Sequence, residues 1–356
     1  MTARHSGVRP SPPEPNSSVQ LISASAEYGD FEELMKQIAT RAAFLAAAFS
    51  PLALASPAQA CASCGCTLTA DWLSQGLAAQ PGTTFSLRYD YVPQTRLQSG
   101  THRVDRSAIE FPTDREIERY TYNHSLTATL DHQFANDWGL DVQLPVLTRP
   151  HKTIGEDTTE PSFSRTHGIG DLRVVGRWQG LSTPGTVTGL EAGVVLPTGR
   201  FHQEFKSGPE EGEEVDRGLQ PGTGTVQAVL GAYHLGALTS ELGYFVQVTG
   251  QTAVNHRDGY KPGSFVQASA ALNFTHWRNV TPQLQLSVRH TARDSGANSD
   301  RPNSGGDQVN VAPGLSAKIS TKLVGFGFVE LPVYNHVNGY QLVPKAKLSL
   351  GLLYHL

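Results

Sequence analysis

The chain has 356 residues and a formal net charge of −4, with 38% hydrophobic and 17% charged residues; soluble domains usually carry about 25% charged residues. No Lys/Arg cluster marks a nucleic-acid surface, which excludes nucleic acid as a partner class. Thirty-five glycines and eleven tyrosines beside two methionines point to strands and turns rather than helices.

Residues 1–34 are polar and contain prolines, and they precede a complete export signal with its own methionine. They are read as a non-native upstream extension. Residues 35–60 read as a signal peptide: Lys36 and Arg41 supply the positive region, residues 42–54 the apolar run, and Ala58-Gln59-Ala60 the small-x-small cleavage pattern. The run is too short for a spanning helix, which takes about 20 apolar residues. No later stretch reaches that length either, so the exported chain is periplasmic, secreted, or a barrel.

Residues 61–83 form a short N-terminal segment holding all three cysteines, Cys61, Cys64 and Cys66. Four readings stay open: a lipid anchor on Cys61, a Cu(I) or Zn site of thiolates, a disulfide with one thiol left over, and inert thiols. Residues 69–79 read as a short helix capped by Thr69, with Trp72, Leu73 and Leu77 on one face. Such a helix lies in the periplasm or plugs a lumen. Apart from this cluster, no cofactor is expected.

From Thr84 to the end, residues 84–356, apolar and polar side chains alternate. Phe85, Leu87, Tyr89 and Tyr91 interleave with Ser86, Arg88 and Asp90, and Leu284, Leu286 and Val288 with Gln283, Gln285 and Arg289. A period of two assigns one set to each face of a strand. Segments near 84–94, 117–131, 138–149, 168–179, 187–200, 223–235, 240–254, 264–276, 281–292, 307–319, 323–335 and 343–356 make about twelve strands. The phase breaks at Glu330 and Pro332, which predicts a bulge or an early strand end. Short joins (133–137, 180–186, 236–239, 277–280, 320–322) alternate with mostly long polar ones (95–116, 151–167, 201–222, 255–263, 293–306). That alternation predicts a transmembrane, antiparallel, up-and-down β-barrel with short periplasmic turns and longer outer loops. The last strand keeps its alternation to Leu356, like the closing strand that barrel-assembly machinery reads.

The polar phase then faces the lumen. Its charged members are Arg88, Asp90, Asp141, Asp171, Arg173, Arg177, Glu191, Arg289 and Lys318. They are mixed in sign, which suits either a water-filled channel or charges that pair across a closed lumen. The histidines, among them His102, His151, His167, His202, His256 and His336, read as solvated groups at strand ends and loops. Ser125 beside His124 or His132 lacks a nucleophile motif, so no enzyme activity is expected.

Gly168-Ile-Gly-Asp-Leu172, Leu196-Pro-Thr-Gly199 and Leu219-Gln-Pro-Gly-Thr-Gly224 follow one another in an order and spacing that resembles the outer-membrane transporters of the MetA-pathway phenol-degradation family. Read as residues, the motifs are strand-edge and turn chemistry. The resemblance implies passage of small, aromatic or apolar compounds across a Gram-negative outer membrane. The expected partners are outer-membrane lipid, a small-molecule substrate and the assembly machinery. Two rival functions are a metal- or redox-linked outer-membrane component using the cysteines, and a structural or adhesion barrel acting through its loops.

Overall fold

The computed structural model describes residues 81–356, and all of the described secondary structure is strand except two short 3₁₀ turns. In chain order the strands are β1 (Gly82–Gly100), β2 (His102–Arg103), β3 (Ile117–Gln133), β4 (Trp138–Ile154), β5 (Pro161–Ile169), β6 (Leu172–Trp178) and β7 (Thr186–Leu196). They continue with β8 (Gln227–Ala237), β9 (Leu242–Ala253), β10 (Phe265–Phe274), β11 (Val280–Thr291), β12 (Gly306–Lys318), β13 (Leu323–Pro344) and β14 (Lys347–His355). Neighbours in sequence are neighbours in the sheet, every pairing is antiparallel, and β14 returns to pair with β1. β5 and β6 pair with successive stretches of β4 and make one stave, while β2 is a two-residue ribbon on β1. The result is a closed barrel of twelve staves. Closure is the physical requirement here, because an open edge in hydrocarbon would leave its N–H and C=O groups unpaired at several kcal/mol each.

The alternation sorts the faces as the sequence implies. Leu286 is 46% exposed on the outside, while its neighbour Gln285 is 1% exposed inside. Leu126, Leu130, Leu284, Val288, Leu350 and Leu352 extend the apolar outer surface around the wall. Phe134, Trp138, Trp277 and Tyr354 ring this surface at the short-turn end. Towards the long loops Tyr91, Tyr122 and Tyr120 stack along β1 and β3 with ring centroids 6.5 and 4.9 Å apart. An apolar band with aromatic side chains towards both ends is the exterior of a membrane barrel.

Four features depart from the sequence reading. β4 runs to Ile154 and β5 starts at Pro161, so the expected loop 151–167 shrinks to residues 155–160. β1 runs on to Gly100 after a register shift between Gln94 and Arg96. His151, expected to be solvated, is 2% exposed and bonds Thr121 Oγ1 at 2.8 Å. The outer join of the last two staves is a tight turn at Asn338-Gly339 within β13, where Gly339 takes φ +58°, a conformation that glycine adopts readily. Residues 340–344 then descend beside β1 rather than beginning at 343. The expected bulge is present: Val309 pairs Tyr334 and Asn310 pairs Pro332, which leaves Val333 extra. The expected signal peptide, the three cysteines and the expected short helix all fall outside the described residues.

Candidate functional site

The barrel interior is filled unevenly. At the long-loop end Leu97, Ile117 and Leu342 from the wall pack against Phe205, Val215 and Leu219 of the segment 197–226, with Val104, Ile109, Phe111 and Tyr340 around them. This apolar cap is built by loops that fold inward instead of projecting into water. At the short-turn end Tyr233, Phe245, Ala271, Ala312, Phe326 and Phe328 form a second buried cluster inside the wall. Beside it Arg177 forms an ion pair with Asp131, and Gln179 donates to the Tyr233 hydroxyl at 2.7 Å.

The inward fold of 197–226 is fastened at one point. Asp171 Oδ1 accepts the Gly199 amide at 3.0 Å, and Oδ2 accepts the Thr223 amide and hydroxyl at 2.8 and 2.7 Å. Thr198 Oγ1 donates to the Gly170 carbonyl at 2.8 Å, and Gly170 donates to Pro145 O at 2.8 Å where β5 breaks into β6. Gly199 and Gly222 lie back to back: a Cβ on Gly222 would sit 2.3 Å from the Gly199 carbonyl oxygen, so neither residue tolerates a side chain without moving backbone. The three motifs noted in the sequence therefore converge on one carboxylate. Arg149 adds to the fastening by donating to the carbonyls of Gly218 and Gln220 at 3.1 and 2.9 Å.

Between cap and floor lies a cavity of about 300 Å³. Arg88, Arg149, Arg173 and Arg289 border it, with Gln143, Gln247, Gln251, Gln267, Ser125, Ser269, Thr127 and Thr249 as neutral polar wall and Pro145, Leu147, Val195 and Phe265 as apolar wall. Arg88 is ion-paired to Asp90 at 2.8 Å. Arg173 donates to Gln251 Oε1 at 3.1 Å, and Arg289 donates to Thr291 Oγ1 at 3.2 Å with its guanidinium 3.6 Å from the centre of the Phe265 ring. Asp171 also borders the cavity, but its oxygens hold the loop segment.

Of the charged residues named from sequence, Arg88, Asp171, Arg173 and Arg289 meet at this cavity. Asp90, Asp141, Arg177 and Glu191 are buried inside the wall, where Asp141 accepts from Gln143 at 2.8 Å and Glu191 from Gln247 at 3.1 Å. Lys318 is corrected: it shares the inward phase of Gln308, Asn310 and Ser316, but as the last residue of β12 it lies beyond the buried interior and is exposed at the short-turn rim. The sequence reading passed over Arg149, Gln251 and Phe265. Arg149 was visible by parity from Asp141 and Gln143 on the same strand. Glu330, read as a phase break, and Lys347, not singled out within the expected strand 343–356, are a buried ion pair inside the wall.

A second cavity, about 850 Å³, lies among the outer loops. It is bordered by Glu116, Glu156, Glu210, Glu213, Glu214, Asp216, Asp258 and Asp300, with Arg217 and His202 as its basic groups. Burial, then repulsion from Asp216 and Glu116, pushes the Asp300 carboxyl up to about 9. Burial likewise raises Glu116 to about 7 and Glu210 to about 6. Among the described residues no group of three or more His, Cys, Asp or Glu is placed to hold a metal ion.

No family model matches the sequence, and no curated protein matches it either. Among solved structures, an outer membrane channel from Pseudomonas putida F1 is similar at 12% identity over 78% of this chain and 96% of that one, with a TM-score of 0.57. The transport unit of the Escherichia coli autotransporter AIDA-I aligns at 13% identity over 78% and 91%, with a TM-score of 0.46. A Pseudomonas aeruginosa FadL homologue aligns at 9% identity over 78% and 91%, with a TM-score of 0.41. The likeness to the Pseudomonas putida channel is one of fold: this chain has the architecture of an outer-membrane barrel.

Proposed function

We propose that this chain is a channel for small molecules in a Gram-negative outer membrane, exported by the signal at residues 35–60. The observation that carries this is the closed barrel with an apolar exterior and an interior that retains a polar cavity of about 300 Å³. Eight strands enclose an interior just wide enough for side chains to fill, and twelve staves enclose more, which here is left as a chamber. The similar fold in Pseudomonas putida belongs to a protein described as an outer membrane channel, which supports the same reading here. The three convergent motifs extend the proposal towards the MetA-pathway transporters and small aromatic compounds.

The inward loop segment acts in this reading as the outer gate. A solute enters when 197–226 and the apolar cap rearrange, rests in the cavity, and leaves past the aromatic floor. Ser125 and His124 do not form a pair: Ser125 faces the interior while His124 bonds the Tyr89 hydroxyl on the outer face at 2.7 Å, as alternation requires.

Reconstitution into planar bilayers tests the proposal. Discrete conductance steps are expected, and their absence from folded, inserted protein would favour the adhesion or structural reading. The role of the cysteines as a Cu or Zn site is a separate proposal, tested by metal content after loading and dialysis.

A further inference from the structure

The charge around the central cavity is lopsided. Among the described residues Arg149, Arg173 and Arg289 form no ion pair; their hydrogen bonds go to carbonyl, amide or hydroxyl oxygens. The one bordering carboxylate, Asp171, is occupied by three donors of the loop segment. A guanidinium held near apolar wall without a counter-ion is costly, since removal from water penalises the charged form unless an opposite charge replaces the lost hydration. Guanidinium groups also match carboxylates in shape, offering parallel donors to both oxygens. Leu147, Val195 and Phe265 meanwhile give the cavity an apolar side.

We propose that this chamber binds a small organic anion, a carboxylate carried on an apolar body, with Arg173 and Arg289 as its charge partners. This rests on the reading of the barrel as a small-molecule channel and narrows its substrate class. The Gln251 and Gln267 side chains that now accept from these arginines are neutral and exchangeable, so an arriving carboxylate displaces weak acceptors rather than a salt bridge. The apolar body lies along Leu147 and Val195, and the Phe265 ring keeps the Arg289 guanidinium flat. The acidic outer cavity opposes entry of such an anion, but burial keeps part of that charge protonated at neutral pH.

Titration calorimetry on the full chain in detergent, with benzoate and the uncharged benzyl alcohol as probes, decides the matter. Benzoate should bind saturably and at least tenfold more tightly than benzyl alcohol. Arg173→Gln and Arg289→Gln should each weaken benzoate at least tenfold, with folding checked by heat-modifiable gel migration. Equal binding of the two probes, no saturable benzoate binding, or wild-type affinity in folded variants would overturn the inference. Should a variant fail to fold, the comparison of probes on the unchanged protein still decides. Bilayer conductance separates the two readings. Conductance without benzoate preference overturns the anion site alone, whereas benzoate binding without conductance overturns the channel and leaves the site.

Discussion

Thr223 gives both its backbone amide and its hydroxyl to a single carboxylate oxygen of Asp171, 52 residues earlier in the chain. The pair joins a break in the barrel wall to the end of an inward-folded loop. Hydrogen bonds to a charged acceptor contribute about 1.5–3 kcal/mol. Asp171→Ala should therefore free the segment 201–216 while leaving the wall intact. Limited proteolysis should nick that segment at least about tenfold faster, since about 1.4 kcal/mol is a factor of ten. An unchanged rate would show that the apolar contacts of Phe205, Val215 and Leu219 hold the loop unaided.

The outer band makes a second prediction. Leu286 faces outward, and an arginine at mid-membrane depth there should cost about 2–4 kcal/mol, whereas Leu286→Ile should cost little. Denaturant refolding into bilayers measures both. Equal midpoints would mean that this face of β11 does not meet hydrocarbon.

Arg177 and Asp131 form an ion pair inside the wall, each almost fully buried. Removing one partner of a buried pair costs about 3–5 kcal/mol, because the other charge is left without compensation. Arg177→Met should lower stability by about that amount, and adding Asp131→Leu should recover most of it. A double-mutant cycle with no coupling would show the pair to be solvated.

The outer acidic cavity implies a pH response. In the closed form Glu116, Glu210 and Asp300 are raised to about 7, 6 and 9, above the ordinary carboxylate range of about 4. Groups raised in this way stabilise the closed cap fully at acid pH, and that contribution is lost as pH climbs through those values. Arg217 and His202 offset only part of the charge from Glu156, Glu213, Glu214, Asp216 and Asp258. Loop proteolysis and open-channel probability should both rise between about pH 6 and 9, and Glu116→Gln with Asp300→Asn should flatten the curve. A flat wild-type profile would rule out this coupling.

Within the membrane the wall was legible from sequence, because lipid outside and polar side chains inside enforce a strict two-residue rhythm. Above it the rule inverts. Past the shift at Gln94, β1 turns Leu97 inward against the cap, and β4 carries Arg149, Pro150 and His151 where lipid no longer demands apolar residues. Strand ends such as 95–100 and 150–154 therefore looked like loop. The charges of the cavity were visible by parity, but their grouping was not. Arg173 and Arg289 lie 116 positions apart and meet only because the sheet curves back on itself. The Asp171 fastening was visible as three glycine-rich motifs, though their convergence needed the fold of 197–226.

The seam of the barrel sets an order of events during biogenesis. Thr84 pairs with His355 and Tyr91 with Leu348, so the first stave finds its second neighbour only when the last strand is present. Pairings so distant in sequence are slow to form, since loop-closure entropy is lost before the contacts compensate for it. Until then β1 presents a bare edge able to pair with any extended chain. A chain of this design depends on being held unpaired in transit and released only where closure and membrane entry can occur together.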